Sequence, residues 1–175
     1  KKVENMNYEL TMTDFAESML EKSKKNLEGT SIKPNYQLAE IEKLEKYKSG
    51  FDVVLCHNAV YHAEDKDLGL ENLKNCLNEN KDSFVGLTTN SERHMLNVYE
   101  IGRKLDKNFP TDRIIDSWTE EIADKMLPNH FEYEKIIEEE KLKVTDLDIL
   151  MDYVASGVEP RNIILKESFY DEYRA

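Results

Sequence analysis

One segment constrains this chain more than any other: Phe51 to His62, FDVVLCHNAVYH. An apolar run, Val53 to Leu55, opens after Asp52 and stops abruptly at Cys56, His57 and Asn58. A strand buried on both faces reads as a continuous apolar run. In an open α/β sheet the carboxyl end of such a strand meets a ligand crevice. The chain is therefore expected to place chemistry just after Leu55.

The surrounding pattern supplies the other parts of such a sheet. Tyr8, Leu10 and Met12 alternate with other residues, which predicts a short strand ended by Asp14. Ala16, Met19, Leu20, Ser23 and Leu27 recur at helical spacing, and Gly29 can close that helix. Tyr36 to Ile41 predicts a second strand, and Phe51 to Cys56 the strongest one. Asp65 to Asn80 predicts a helix with Leu70, Leu73, Cys76 and Leu77 on its apolar face. Ser83 to Thr88 predicts a further strand that also ends in polar residues, Thr88, Thr89 and Asn90. Ser91 to Phe109 reads as a helix stopped by Pro110.

Strands separated by helices imply crossover connections and a parallel sheet. Right-handed crossovers bring every carboxyl end to one side. Asp14, Glu40, Cys56 to Asn58 and Thr88 to Asn90 are thus expected on one rim.

The later residues differ in character. Ile114 to Met126 reads as one helix, with Trp118, Ile122 and Met126 spaced by four. Phe131 to Glu138 alternates imperfectly and is expected as a strand. Glu138, Glu139 and Glu140 read as a solvated run. Thr145 is expected to cap a helix carrying Leu147, Leu150, Met151 and Val154, with Asp148 completing a capping box. Asn162 to Lys166 reads as a final strand.

Length and charge narrow the function classes. A chain of 175 residues is one domain by ordinary size. The expected organisation is a single partial domain, with residues 1–109 as an α/β core and 110–175 as its closing helices and strands. A net charge of -12 disfavours a nucleic-acid backbone or an anionic membrane as the partner. No stretch approaches the length of a membrane span, and the start lacks a signal-type apolar core. Two cysteines do not make a disulfide framework, so a cytoplasmic setting is expected. Four irregularly spaced histidines do not make a metal site.

Individual residues carry paired readings. Asp14 lies past a strand end, where a carboxylate accepts hydrogen bonds from ribose hydroxyls. It equally precedes a helix as an N-cap, with Glu17 three residues on. Cys56 beside His57 suggests a thiol nucleophile, but strand neighbours point to opposite faces, so the pair is set aside. His62 and His94 are the candidate catalytic groups, since imidazole titrates near neutrality. A packing role for either is the competing reading.

In their order and spacing these segments resemble the class I S-adenosylmethionine-dependent methyltransferases, particularly the small-molecule enzymes of the ubiquinone-biosynthesis type from Gram-positive anaerobes. The likeness runs through TDFAESMLEKSKKNL (residues 13–27), LAEIEKL (38–44), FDVVLCHNAVYHAEDKDLGLENLKNCL (51–77), TTNSERHM (88–95) and LKVTDLDILMDYVASG (142–157). It implies a doubly wound, Rossmann-like, mostly parallel sheet flanked by helices. The family's first strand and glycine-rich loop have no counterpart here, so the expected fold is an N-terminally incomplete one. The resemblance implies S-adenosyl-L-methionine as cofactor. It places Asp14 at the ribose, with Phe15 and Met19 lining the nucleoside pocket. Glu40 and the Ile41 amide would lie at the adenine, and Cys56, His57 and Asn58 at the amino-acid end. It implies methyl transfer to a small-molecule acceptor, impaired if the site is incomplete. The alternative is a non-catalytic interaction module that keeps the sheet without the cofactor. A homodimer covering the open edge is a further expectation.

Overall fold

The computed structural model describes residues 8–105, 107, 109, 114–139, 141, 143–146, 148 and 149. The chain divides into two compact units, Lys1–Thr88 and Thr89–Ala175.

The first unit runs β1 (Thr11–Asp14), α1 (Glu17–Leu27), β2 (Asn35–Leu38), β3 (Val53–His57), α2 (Lys66–Cys76) and β4 (Phe84–Thr88). The α/β class expected from sequence holds: parallel strands flanked by helices, an incomplete Rossmann-like arrangement. β1 pairs with β2 in parallel from Thr11↔Asn35 to Asp14↔Leu38. β3 pairs with β4 in parallel from Val53↔Phe84 to His57↔Thr88. Among the described residues no ladder joins β1 to β3, so the strands form two pairs.

Local chemistry fixes each connection. α1 buries Leu20 and sets Ser23 Oγ against Met12 Sδ on β1. Its end is closed by Thr30, whose hydroxyl donates to the Leu27 carbonyl at 2.8 Å. Gly29 takes a φ of 78° there, a left-handed conformation that costs glycine little. α2 is capped by Asp65, whose carboxylate accepts from the Leu68 amide at 3.0 Å. Its other end satisfies its last carbonyls through the loop before β3. Ser49 N–H donates to Asn75, and the Gly50 and Phe51 amides donate to Cys76. α2 ends at Cys76, earlier than the expected Asn80, because Leu77 turns to an extended ψ of 142° and bridges Phe51. Leu70, Leu73 and Cys76 are buried along its inner face, with Asn72 beside them.

The second unit contains α3 (Leu96–Leu105) and α4 (Glu120–Met126). The helix expected from Ser91 starts only at Leu96, since residues 92–95 form a turn and Met95 has a φ of 55°. The single helix expected over Ile114–Met126 is broken. A 3₁₀ turn, Ile114–Ser117, precedes α4, and the extended Thr119 (ψ 173°) separates them. Trp118 and Thr119 are buried at that break. Thr89 Oγ1 donates to the Trp118 carbonyl at 2.9 Å, and the Glu120 amide donates to Asn90. These bonds compensate the break. Phe131 to Glu138 forms no strand, and Ile136 is 87% exposed. The cap near residue 145 is Asp146 rather than Thr145: its Oδ1 accepts from the Asp148 and Ile149 amides at 3.0 and 3.3 Å. Leu147, Leu150, Met151, Val154 and Asn162–Lys166 lie outside the described residues.

Candidate functional site

The carboxyl ends of β1, β2 and β3 meet through their following residues. Asp14 ends β1, and its Oδ1 accepts from the Ala16 amide at 2.8 Å. That turn uses one carboxylate oxygen and fixes Phe15 between Asp14 and the start of α1. Phe15 is 54% exposed, and its ring lies 5.0 Å from the His62 ring at 55°. Met19 is also exposed on α1.

The residues after β2 bind the segment after β3. Glu42 accepts from the Asp65 amide through Oε1 at 2.8 Å and from the Glu64 amide through Oε2 at 3.2 Å. The Ile41 carbonyl accepts from Asn72 Nδ2 at 3.2 Å. Its side chain packs over Gly69, with three carbons 3.6 Å from where a Cβ would stand. The Ile41 amide donates to no acceptor among the described residues. Glu40 is exposed, and Oε2 pairs with Lys43 at 2.7 Å. That partner holds the Lys43 ammonium above its usual range. Sequence reasoning had no signal for the Glu40–Lys43 pair beyond an i,i+3 spacing in a charged stretch.

At the end of β3, Cys56, His57 and Asn58 have three different environments. Cys56 is a buried free thiol, and burial pushes its pKa up to about 11. A thiol kept protonated near neutrality is a poor nucleophile, which agrees with setting covalent chemistry aside. His57 is exposed, with Nδ1 2.6 Å from Thr88 Oγ1. The Asn58 amide is shared between the Thr88 carbonyl and hydroxyl, both at 3.2 Å. Asn58 takes a φ of 47°, turning the chain out of the strand. Leu55, Cys56, His57, Gly86, Leu87 and Thr88 line a shallow hollow of about 360 Å³. The His57–Thr88 partnership joins residues 31 apart in sequence, which local periodicity cannot show.

A 3₁₀ turn, Val60–His62, follows. Val60 and Ala63 on either side of Tyr61 and His62 are buried, so they anchor the turn. The Tyr61 and His62 rings lie 4.4 Å apart. The structure thus brings Phe15, next to Asp14, against His62, and sets Ile41 and Glu42 against α2 and the residues that precede it. His94 lies in the second unit, in the turn before α3, its amide donating to Ser91.

Among the described residues no group of three or more His, Cys, Asp or Glu could hold a metal. None of their helices is long and apolar enough to cross a membrane.

Comparison with known proteins agrees with this architecture. Residues 2–80 match a family described as a methyltransferase domain. A putative methyltransferase from Bacillus halodurans C-125 is similar in structure at 16% identity and a TM-score of 0.50, over 70% of this chain and 52% of that one. The YcgJ protein of Bacillus subtilis is similar at 17% identity and a TM-score of 0.48, over 70% and 51%. A structure concerned with the conversion of a disulfide bond into a thioacetal group during echinomycin biosynthesis gives 13% and 0.49, over 61% and 43%. The chain spans about half the length of these solved proteins. Among curated proteins no sequence matches. Over residues 2–80 the chain is thus similar to a methyltransferase domain.

Proposed function

We propose that this rim binds S-adenosylmethionine and that the protein transfers its methyl group to a small-molecule acceptor, in the manner of the ubiquinone-biosynthesis-type enzymes the sequence resembles. One observation carries the reading. Asp14 spends one carboxylate oxygen on the Ala16 amide, its other oxygen makes no hydrogen bond among the described residues, and the next residue, Phe15, presents an exposed aromatic ring.

The nucleoside half of the cofactor fits these residues. Asp14 Oδ2 suits a ribose hydroxyl, a charge-assisted bond stronger than a neutral one. Phe15 offers a face for the base, and the Ile41 N–H a donor to a ring nitrogen. Glu40 must leave Lys43 to accept from an exocyclic amine. Both side chains are exposed, so little holds them together. Cys56, His57 and Asn58 are proposed for the amino-acid end. There the Thr88 contacts fix the turn of the chain.

When bound, S-adenosylmethionine supplies a methyl carbon made electrophilic by its sulfonium. The residues here need supply no nucleophile. Their work is to hold the acceptor in line and keep water away. A cytoplasmic location fits this chemistry. Titration calorimetry with S-adenosylmethionine tests the reading: a saturable heat is expected, and its absence contradicts cofactor binding.

A second reading has its own observation. Val53, Leu55 and Phe84 share one face of the β3–β4 pair and are all exposed. A non-catalytic interaction module, or a homodimer that covers these strands, would use such a face. Sedimentation at rising concentration tests it, and a monomer throughout would remove the homodimer.

A further inference from the structure

We infer that His62 is a positioning residue for a nucleobase, acting through Phe15, and not a proton carrier. This inference rests on the cofactor reading above. No ladder hydrogen bond joins β1 to β3 among the described residues. The ring contact between Phe15 and His62 links the segments that follow those two strands.

Both partners are held from behind. Phe15 sits in the turn closed by the Asp14–Ala16 hydrogen bond. His62 sits at the end of a 3₁₀ turn whose amides return to Ala59 and Val60, with Val60 and Ala63 buried beneath it. Tyr61 backs the imidazole at 4.4 Å. The result is a row of rings, Phe15, His62 and Tyr61, with tilted contacts of the kind aromatic groups favour. Phe15 remains more than half exposed, so part of its ring is open to a planar ligand. His62 fixes the angle of that ring. Without it, Phe15 turns freely and the base loses an ordered wall.

The two roles for His62 separate by substitution. A positioning ring can be replaced by another ring, whereas a proton carrier cannot. The experiment is calorimetry of the full chain with S-adenosylmethionine and, separately, with adenosine. It uses the unsubstituted protein, His62→Ala and His62→Phe, each checked by its melting temperature. His62→Ala is expected to weaken both ligands about three- to tenfold, the range of one aromatic pair. His62→Phe is expected to restore both to within about twofold. Unchanged affinity in His62→Ala overturns the inference and leaves the cofactor reading standing. So does a His62→Phe variant as weak as His62→Ala, because the imidazole's polar chemistry would then be what matters. No binding by the unsubstituted protein overturns both.

Discussion

The two faces of the β3–β4 pair are made by alternate residues of the same strands, and they have opposite fates. Val54, Cys56, Val85 and Leu87 share one face, where Cys56 is buried and the others are half-buried. Val53, Leu55 and Phe84 share the other, where Leu55 is 74% exposed. Both faces are apolar, as in strands covered on two sides. Apolar character therefore records what a strand is suited to bury. It does not say which side the surrounding chain covers.

Substitutions sharpen that contrast. The largest effect is expected beneath the first unit's buried helix face. Leu70 is 0% exposed, and Leu70→Ala should cost about 2–5 kcal/mol in a denaturant melt. A loss below about 1 kcal/mol would mean this core is looser than described.

Two glycines come next. A Cβ on Gly102 would stand 2.6 Å from the Phe109 ring, which is buried and has nowhere to go. Gly102→Ala should therefore destabilise by about 1–3 kcal/mol. A Cβ on Gly86 would meet only Leu55 Cδ2, at 2.8 Å, the far end of an exposed side chain. Leu55 can swing away, so Gly86→Ala should cost less than about 0.5 kcal/mol. Equal losses in thermal melts would contradict this account of the open face.

Leu55→Ser should also stay within about 0.5 kcal/mol, as exposed positions do. A loss near 2 kcal/mol that grows with protein concentration would instead show the face covered by self-association.

The smallest change is chemical. Burial raises the Cys56 thiol from 9.0 to about 11 and raises Cys76 as well. Both groups hold their protons more tightly folded than unfolded. Their contribution to stability is complete below pH 9 and declines as pH rises toward the folded value. Alkylation with iodoacetamide at pH 8 should be slow for both in the folded protein and fast in urea. Rapid labelling of Cys56 under native conditions would show that its face opens.

The sequence made some of this legible and hid the rest for identifiable reasons. α1, β3 and β4 lie close to where periodicity put them, whereas β1 starts only at Thr11 and β2 stops at Leu38, short of the expected Ile41. α2 begins where its pattern was expected to start, with Asp65 as its cap. The break at Trp118 and Thr119 was invisible, since Trp118, Ile122 and Met126 keep helical spacing across it. What ends the turn is bonding to Thr89 and Asn90, about 30 residues earlier. Asp146 displaces Thr145 as cap because its carboxylate reaches two amides. Phe131 to Glu138 alternates like a strand but finds no ladder among the described residues. At the rim, Asp14 was readable as either ribose ligand or helix cap. It is not the cap: Ala16 is the N-cap residue of α1 with no side-chain cap bond, and Asp14 Oδ1 closes the turn before it on the Ala16 amide. The Phe15–His62 and His57–Thr88 contacts depend on tertiary placement, which no local pattern encodes.

Calorimetry on the unsubstituted protein and Asp14→Ala is the decisive test of the proposed S-adenosylmethionine binding at Asp14. The account predicts a saturable binding heat, weakened about tenfold or more by Asp14→Ala, in line with loss of a charge-assisted hydrogen bond. Circular dichroism should show both proteins folded. No heat from the unsubstituted protein, or equal affinity in the two, would contradict it.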